Sequence, residues 1–166
     1  KKMEIDKLIG KILQGYQPAC VVITANELKI FDELKQPITA KQVAENRQLD
    51  PEACERLLNA LTSLEIVIKK NNNYHLPHNS QEFLVTGGTH SLQQWIQLSA
   101  DLYTVWGQLR TFIKSGVLIK SIMDMLGGDP HKMRAFTDAM HDKALKATWM
   151  IAREIPIGDA KNMLDV

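Results

Sequence analysis

The residues best equipped for chemistry in this chain are its histidines, its two cysteines and two glycine pairs, and their spacing decides what they can do. His75 and His78 stand three apart, but one falls in a strand-like run and the other in a proline-flanked turn. They therefore lack the common helical face that a paired metal site uses, and surface positions suit both. His131 follows Pro130 in what reads as a first helical turn, and His141 fits a solvent-facing helix position. Cys20 and Cys54 have no Cys or His partner at metal-ligand spacing, which argues against a zinc site or a disulfide framework and leaves two buried thiols as the expectation. No Ser-His-Asp or Cys-His set can be assembled from these spacings. Gly87-Gly88 and Gly127-Gly128 lack the rest of a phosphate-binding loop and read as loop hinges.

The elements that would have to position such residues are written in the apolar spacing. Ile5, Leu8, Ile9, Ile12 and Leu13 recur at three and four, predicting a short amphipathic helix that Gly15 ends. A second helix is predicted from Pro18 to Leu34, with Ala25, Leu28, Phe31 and Leu34 as its stripe. Thr39 caps a third helix through Arg47, and Asp50-Pro51-Glu52 starts a fourth that carries Leu57, Leu58, Leu61 and Leu64. The β-branched run Ile66 to Ile68, the turn formers Asn71 to Asn73 and the returning Tyr74-His75-Leu76 predict a hairpin. Three helices followed by a two-stranded wing is the element order of a winged helix, spanning about Pro18 to Pro77. Beyond it, one long helix is predicted from Ser91 to Lys114 and a weaker segment from Val117 to Leu126. Asp129-Pro130 opens a last helix with Met133, Phe136, Met140, Ala144 and Ala147 on one face, ending before Pro156. Asn162 to Val166 reads Asn-Met-Leu-Asp-Val, like the first strand of a buried parallel sheet. A lone parallel strand needs neighbours, so the expectation is a fold that continues.

Composition narrows the function. The chain is 45% apolar and 23% charged, in the range of ordinary globular proteins, and has no run of eighteen apolar residues. With no signal-peptide or membrane-span pattern, a cytoplasmic location is expected. Residues 1–80 hold 11 basic and 10 acidic side chains and residues 81–166 hold 9 of each, so neither half is a basic body suited to phosphate. A winged-helix DNA-binding regulator would read the groove with the helix from Pro51 to Leu64. That helix carries Glu52, Glu55 and a single Arg56, and the wing adds only Lys69 and Lys70, so nucleic acid is not an expected partner. The start at Lys1, without Met, suggests a trimmed or excised chain and keeps open a noncatalytic docking or dimerisation domain of a multidomain synthase.

Ordered landmarks add a resemblance. Leu28, Ile30, Phe31, Asp32 and Leu34, then Pro37, Ile38, Thr39, Ala40, Val43 and Ala44, resemble a stretch of the plant and bacterial small-molecule O-methyltransferases related to acetylserotonin and caffeate O-methyltransferases. Arg56 to Leu61, Tyr74-His75-Leu76, Trp106 with Leu109, Phe136 with Met140, and Leu164-Asp165-Val166 are similar in the same order. Lys29 stands where that family has glycine, and Asn71 to Asn73 replace a glycine-containing turn. The resemblance implies a mainly α chain. Residues 1–85 would be a winged-helix-like dimerisation domain with a two-stranded β wing, and residues 86–158 connecting helices that form one wall of a substrate pocket. Residues 159–166 would open a Rossmann-like domain whose remainder is absent. It implies a homodimer through the N-terminal helices, S-adenosylmethionine as cofactor of the absent domain, and a small hydroxylated aromatic or polyketide-like substrate. Trp106, Phe136 and Met140 would wall the pocket, and Asp165 and Val166 would lead into the missing cofactor loop. No catalytic residue is expected in this chain, and the chain alone is expected to be inactive.

Overall fold

The computed structural model describes residues 4–88, 90–117, 121–154 and 161–162. The predicted strand at Leu164 to Val166, with Asp165, lies outside them. Ten helices and three short strands follow one another among the described residues.

α1 (Ile5–Gln14) and α2 (Tyr16–Glu27) lead into α3 (Ile30–Glu33), then β1 (Ile38–Thr39), α4 (Ala40–Arg47), α5 (Pro51–Ser63), β2 (Ile68–Lys70) and β3 (Asn73–His75). The local start signals work as chemistry predicts. The Thr39 hydroxyl accepts from the Gln42 amide at 3.3 Å while the Gln42 side chain takes the Thr39 amide at 3.1 Å, a reciprocal capping box at the start of α4. Asp50 Oδ1 accepts the Ala53 amide at 2.8 Å with Pro51 at the first helical position of α5.

Where the structure departs from the predicted elements, the reasons are physical. The helix expected through Leu34 breaks at Leu28-Lys29, because Lys29 takes the left-handed conformation at φ 54°. Glycine reaches that region without steric cost, which accounts for the family's glycine at this position. The expected two-stranded wing is a three-stranded antiparallel sheet in the order β1-β3-β2, since Ile38 pairs with Tyr74 and Thr39 with Asn73. Ile66 and Val67 do not extend β2, because both amides bond to the Leu61 carbonyl at the end of α5. Asn71 and Asn72 both take positive φ, the geometry of a tight hairpin turn that asparagine tolerates. One core joins these pieces, with Ile30, Phe31, Leu34, Val43, Leu58, Leu61, Tyr74 and Leu76 all shut from solvent. Cys54 lies in that core, where burial pushes its thiol above the usual range, and Cys20 is half-buried instead of buried.

α6 (His78–Leu84), a helix that the sequence does not predict, leads to α7 (Gln93–Trp106) and α8 (Leu109–Ser115). The single helix predicted from Ser91 to Lys114 is thus two, divided at Gly107-Gln108. α9 (Ile122–Leu126) starts on a Ser121–Asp124 capping box and ends at Gly127, and α10 (Pro130–Glu154) starts where Asp129 Oδ1 accepts the His131 amide. α10 packs along α7. Its buried face is also shifted from the predicted one: Ala139 is fully buried and Ala135 and Phe136 half-buried, while Met133, Met140 and Ala144 are exposed. Among the described residues no helix is long and apolar enough to cross a membrane.

The left-handed Lys29 gives a direct test. A Cβ in this conformation costs about 1 kcal/mol, and glycine returns part of that gain through its freer unfolded chain, so Lys29→Gly should raise the urea midpoint slightly. Lys29→Val, whose branched Cβ resists this conformation, should lower stability by more than about 1 kcal/mol. Equal midpoints for both variants would contradict the assigned backbone.

Candidate functional site

A cleft of about 350 Å³ lies between α7, α9 and α10. α7 contributes Gln94, Gln97, Leu98, Asp101 and Leu102, whose spacing of three and four places them on one face of the helix. α9 contributes Ile122 and Leu126, and α10 contributes Lys132, Ala135 and Phe136. Leu98 and Leu126 are buried, whereas Gln94 is exposed and Gln97 half-buried, so amides edge a cleft with aliphatic side chains in its depth. Asp101 and Lys132 bring one charge of each sign, and each interacts with other groups of the chain. The size and the mixture of apolar wall and few polar groups are those of a small-molecule site.

The position of α7, and hence of the cleft, is set by a polar junction with the first core. The Thr86 amide donates to Asp32 Oδ1 at 2.7 Å and the Thr86 hydroxyl to Oδ2 at 2.8 Å. Gln93, at the first turn of α7, donates from Nε2 to the Leu84 carbonyl at 2.9 Å, and its Oε1 lies 3.2 Å from the Thr86 hydroxyl. Buried Asn26 on α2 donates to the Gln93 carbonyl at 3.3 Å. The glycine pair beside Thr86 belongs to this junction. Gly87 takes φ +78°, and a Cβ on Gly88 would stand 2.2 Å from the Glu82 carbonyl oxygen. Gly127 and Gly128, also at positive φ, close α9.

The three predicted wall residues are not brought together at the cleft. Phe136 lines it, but Trp106 stands 67% exposed at the end of α7, and Met140, one turn beyond Phe136, is exposed and outside the lining. His75 pairs with Ile68 in the sheet and His78 begins α6, so they form no common site, and among the described residues no His, Cys, Asp and Glu cluster could hold a metal ion. His131 and His141 are exposed on α10. Asp142 is pushed above the usual carboxylate range by burial first, with the nearby Asp138 charge adding to the rise and His141 opposing it. Sequence reasoning missed Gln94, Gln97 and Asp101, because polar residues at helical spacing read as a solvated face until α10 is placed beside them. On the rival groove-reading helix, Arg56 is paired with Glu52. Lys69 of β2 reaches Asn59 at 2.9 Å and Glu55 at 3.5 Å and lies over the Tyr74 ring.

Against this geometry the comparisons with known proteins can be set. Residues 11–86 match the family model described as the O-methyltransferase dimerisation domain. The S-adenosyl-L-methionine-dependent methyl transferase PigF of Serratia sp. (strain ATCC 39006) is 33% identical over 106 residues, 62% of this chain and 30% of PigF. An O-methyltransferase family protein from Burkholderia thailandensis superimposes with a TM-score of 0.79 at 18% identity, over 95% of this chain and 47% of that one. Human N-acetylserotonin methyltransferase, solved with S-adenosylmethionine, superimposes with a TM-score of 0.69 at 19% identity, over 87% of this chain and 47% of that one. The chain thus spans about half the length of these solved structures and under a third of the curated relative. The likeness in fold extends past residue 86 into the helices that form the cleft.

Removing the Asp32 carboxylate should free the start of α7. Each hydrogen bond to a charged acceptor is worth about 1.5–3 kcal/mol when buried and less at this partly exposed position, so Asp32→Ala should cost about 1–2 kcal/mol. Hydrogen exchange locates the effect. The Thr86 amide should lose protection in the variant while the Leu58 amide exchanges only as fast as the global loss allows. An unchanged Thr86 rate would refute the junction.

Proposed function

We propose that this chain is the dimerisation and pocket-wall part of an S-adenosylmethionine-dependent methyltransferase that modifies a small hydroxylated molecule, aromatic or polyketide-like. In this reading residues 1–85 are the dimerisation domain, winged-helix-like in plan, and residues 86–158 are helices that close one side of the acceptor pocket. Residues 159–166 open the Rossmann-like part. Two copies meet through α1 and α2 in a cytoplasmic homodimer. PigF is named as an S-adenosylmethionine-dependent enzyme and the human structure holds that cofactor, which supports the same donor here.

The observation that carries the reading is α1. It is strongly amphipathic, yet Ile5, Ile9, Ile12 and Leu13 are all exposed and none of its residues is buried. A ten-residue helix is marginal in water without a surface to pack on, and α1 runs into the dimerisation domain that begins at residue 11. A second copy supplies the missing surface.

The described residues do not fit the cofactor. Their two glycine pairs serve a tight approach to Glu82 and the end of α9, and neither lies in a strand-loop-helix turn whose backbone could close on an adenosyl group. S-Adenosylmethionine would supply the methyl group when bound elsewhere in the protein. This chain's share is to hold the acceptor and exclude water, with Phe136 in the cleft and the exposed Trp106 and Met140 as further wall residues.

Light scattering during gel filtration at micromolar concentration should give twice the 18.8 kDa of one chain. The double change Ile9→Glu with Ile12→Glu should shift the mass to that of the monomer and leave the circular dichroism of α4 to α10 essentially intact. A monomeric unaltered chain would overturn the reading. A noncatalytic docking domain would dimerise equally but bind no small molecule in the cleft.

A further inference from the structure

We propose that the cleft between α7, α9 and α10 selects a neutral, flat ligand of about two fused rings whose edge presents an N–H next to a C=O, and that Gln94 and Gln97 read that edge. The inference rests on the pocket-wall reading above and adds the class of molecule the wall recognises.

Three observations carry it. The first is the unused hydrogen-bonding capacity. A glutamine carboxamide offers two donors and an acceptor. Gln93, next in sequence, uses its side chain on Leu84 and Thr86, and Gln42 uses its own on Thr39. Gln94 and Gln97 bond to no other group among the described residues, although both face the cleft one helical turn apart. A carboxamide pairs through one donor and one acceptor with a cis amide, and a lactam edge is the small-molecule form of that partner.

The second is charge. Asp101 and Lys132 line the cleft with opposite signs and are already engaged within the chain, so the cleft is formally neutral. An ionised ligand would give up hydration there with no net countercharge to replace it. A neutral ligand would not. The third is shape. Phe136 and the aliphatic Leu98, Leu102, Ile122 and Leu126 form the apolar surfaces, and an aromatic face against them favours a flat ring system. A volume of about 350 Å³ admits a small bicyclic molecule and falls at the lower end of ligand pockets.

Nuclear magnetic resonance of the 15N-labelled 166-residue chain reads the proposal directly. The probes are quinolin-2(1H)-one, its N-methyl derivative, which lacks the donor, and quinoline-2-carboxylate, which carries a charge. Quinolin-2(1H)-one should move the side-chain NH2 signals of Gln94 and Gln97 and the backbone amides of Leu98 and Phe136, leaving the Gln93 side chain in place. The N-methyl derivative should bind about tenfold more weakly, the loss expected for one unmade hydrogen bond, and the carboxylate weaker still. Gln97→Leu, at a half-buried position that tolerates the change, should bring the first two probes to similar affinity. The proposal fails if quinolin-2(1H)-one at millimolar concentration moves neither glutamine, or if all three probes bind alike. The light-scattering mass judges the dimer separately, so a dimer that ignores the probes overturns this inference alone.

Discussion

α7 packs on α2 of the first core and is fixed in place there by polar contacts around one carboxylate. Asp32 lies in the short α3, one turn after the left-handed Lys29, and its two oxygens take the amide and the hydroxyl of Thr86. That pair fixes the loop that Gly87 and Gly88 allow to turn beside Glu82, and the loop delivers Gln93 to the start of α7. Apolar packing alone would leave α7 free to slide, because dispersion is non-directional. Hydrogen bonds to fixed atoms of α2, α3 and α6 remove that freedom, and α10 inherits the position of α7 by packing along it. The geometry of the cleft is therefore decided at the junction, where Gln93 stands next in sequence to the lining residue Gln94.

The burial pattern divides labour along the chain. The core of Phe31, Leu34, Leu58, Leu61, Tyr74 and Leu76 is closed, as stable packing requires. The ends of the structure are not. α1 exposes its isoleucines, and Trp106, Leu109, Ile113 and Val117 remain exposed across α7, α8 and the segment after them. Exposed apolar side chains on neighbouring turns of a helix are surface that packing within the described residues leaves open.

What could be read from the sequence was what local chemistry writes. The Thr39 cap, Asp50 with Pro51, Asp129 with Pro130 and the Asn71-Asn72 turn each specify their geometry within four residues, and each appears in the structure as predicted. What escaped depended on distant partners or weak signals. β1 is two residues long and is a strand only because β3 lies beside it. Ile66 and Val67 looked like strand until the Leu61 carbonyl captured their amides. The buried face of α10 was misplaced because methionines outrank alanine in any apolar pattern, while close helix packing prefers the smaller residue. Of the site, Phe136 was legible as an aromatic at helical spacing, and the amides that face it were not.

Glutamine illustrates why. Gln42, Gln93, Gln94 and Gln97 are the same residue on helices of the same chain, yet one caps a helix, one braces a junction, and two line a cleft without partners. The side chain is identical in each case, and the surroundings decide its role. Gln42 stands three residues after a threonine, which is visible in sequence. Gln93 finds Leu84 and Thr86 only because the glycine turn folds them back. Gln94 and Gln97 become significant only when α9 and α10 stand beside them, since an amide facing bulk water bonds to water at no disadvantage. Half-buried beside Leu98, the Gln97 amide meets less water without gaining a protein partner, while the exposed Gln94 edges the same cleft. A ligand edge that restores those bonds is then favoured over one that cannot, and specificity follows from unsatisfied capacity more than from apolar area.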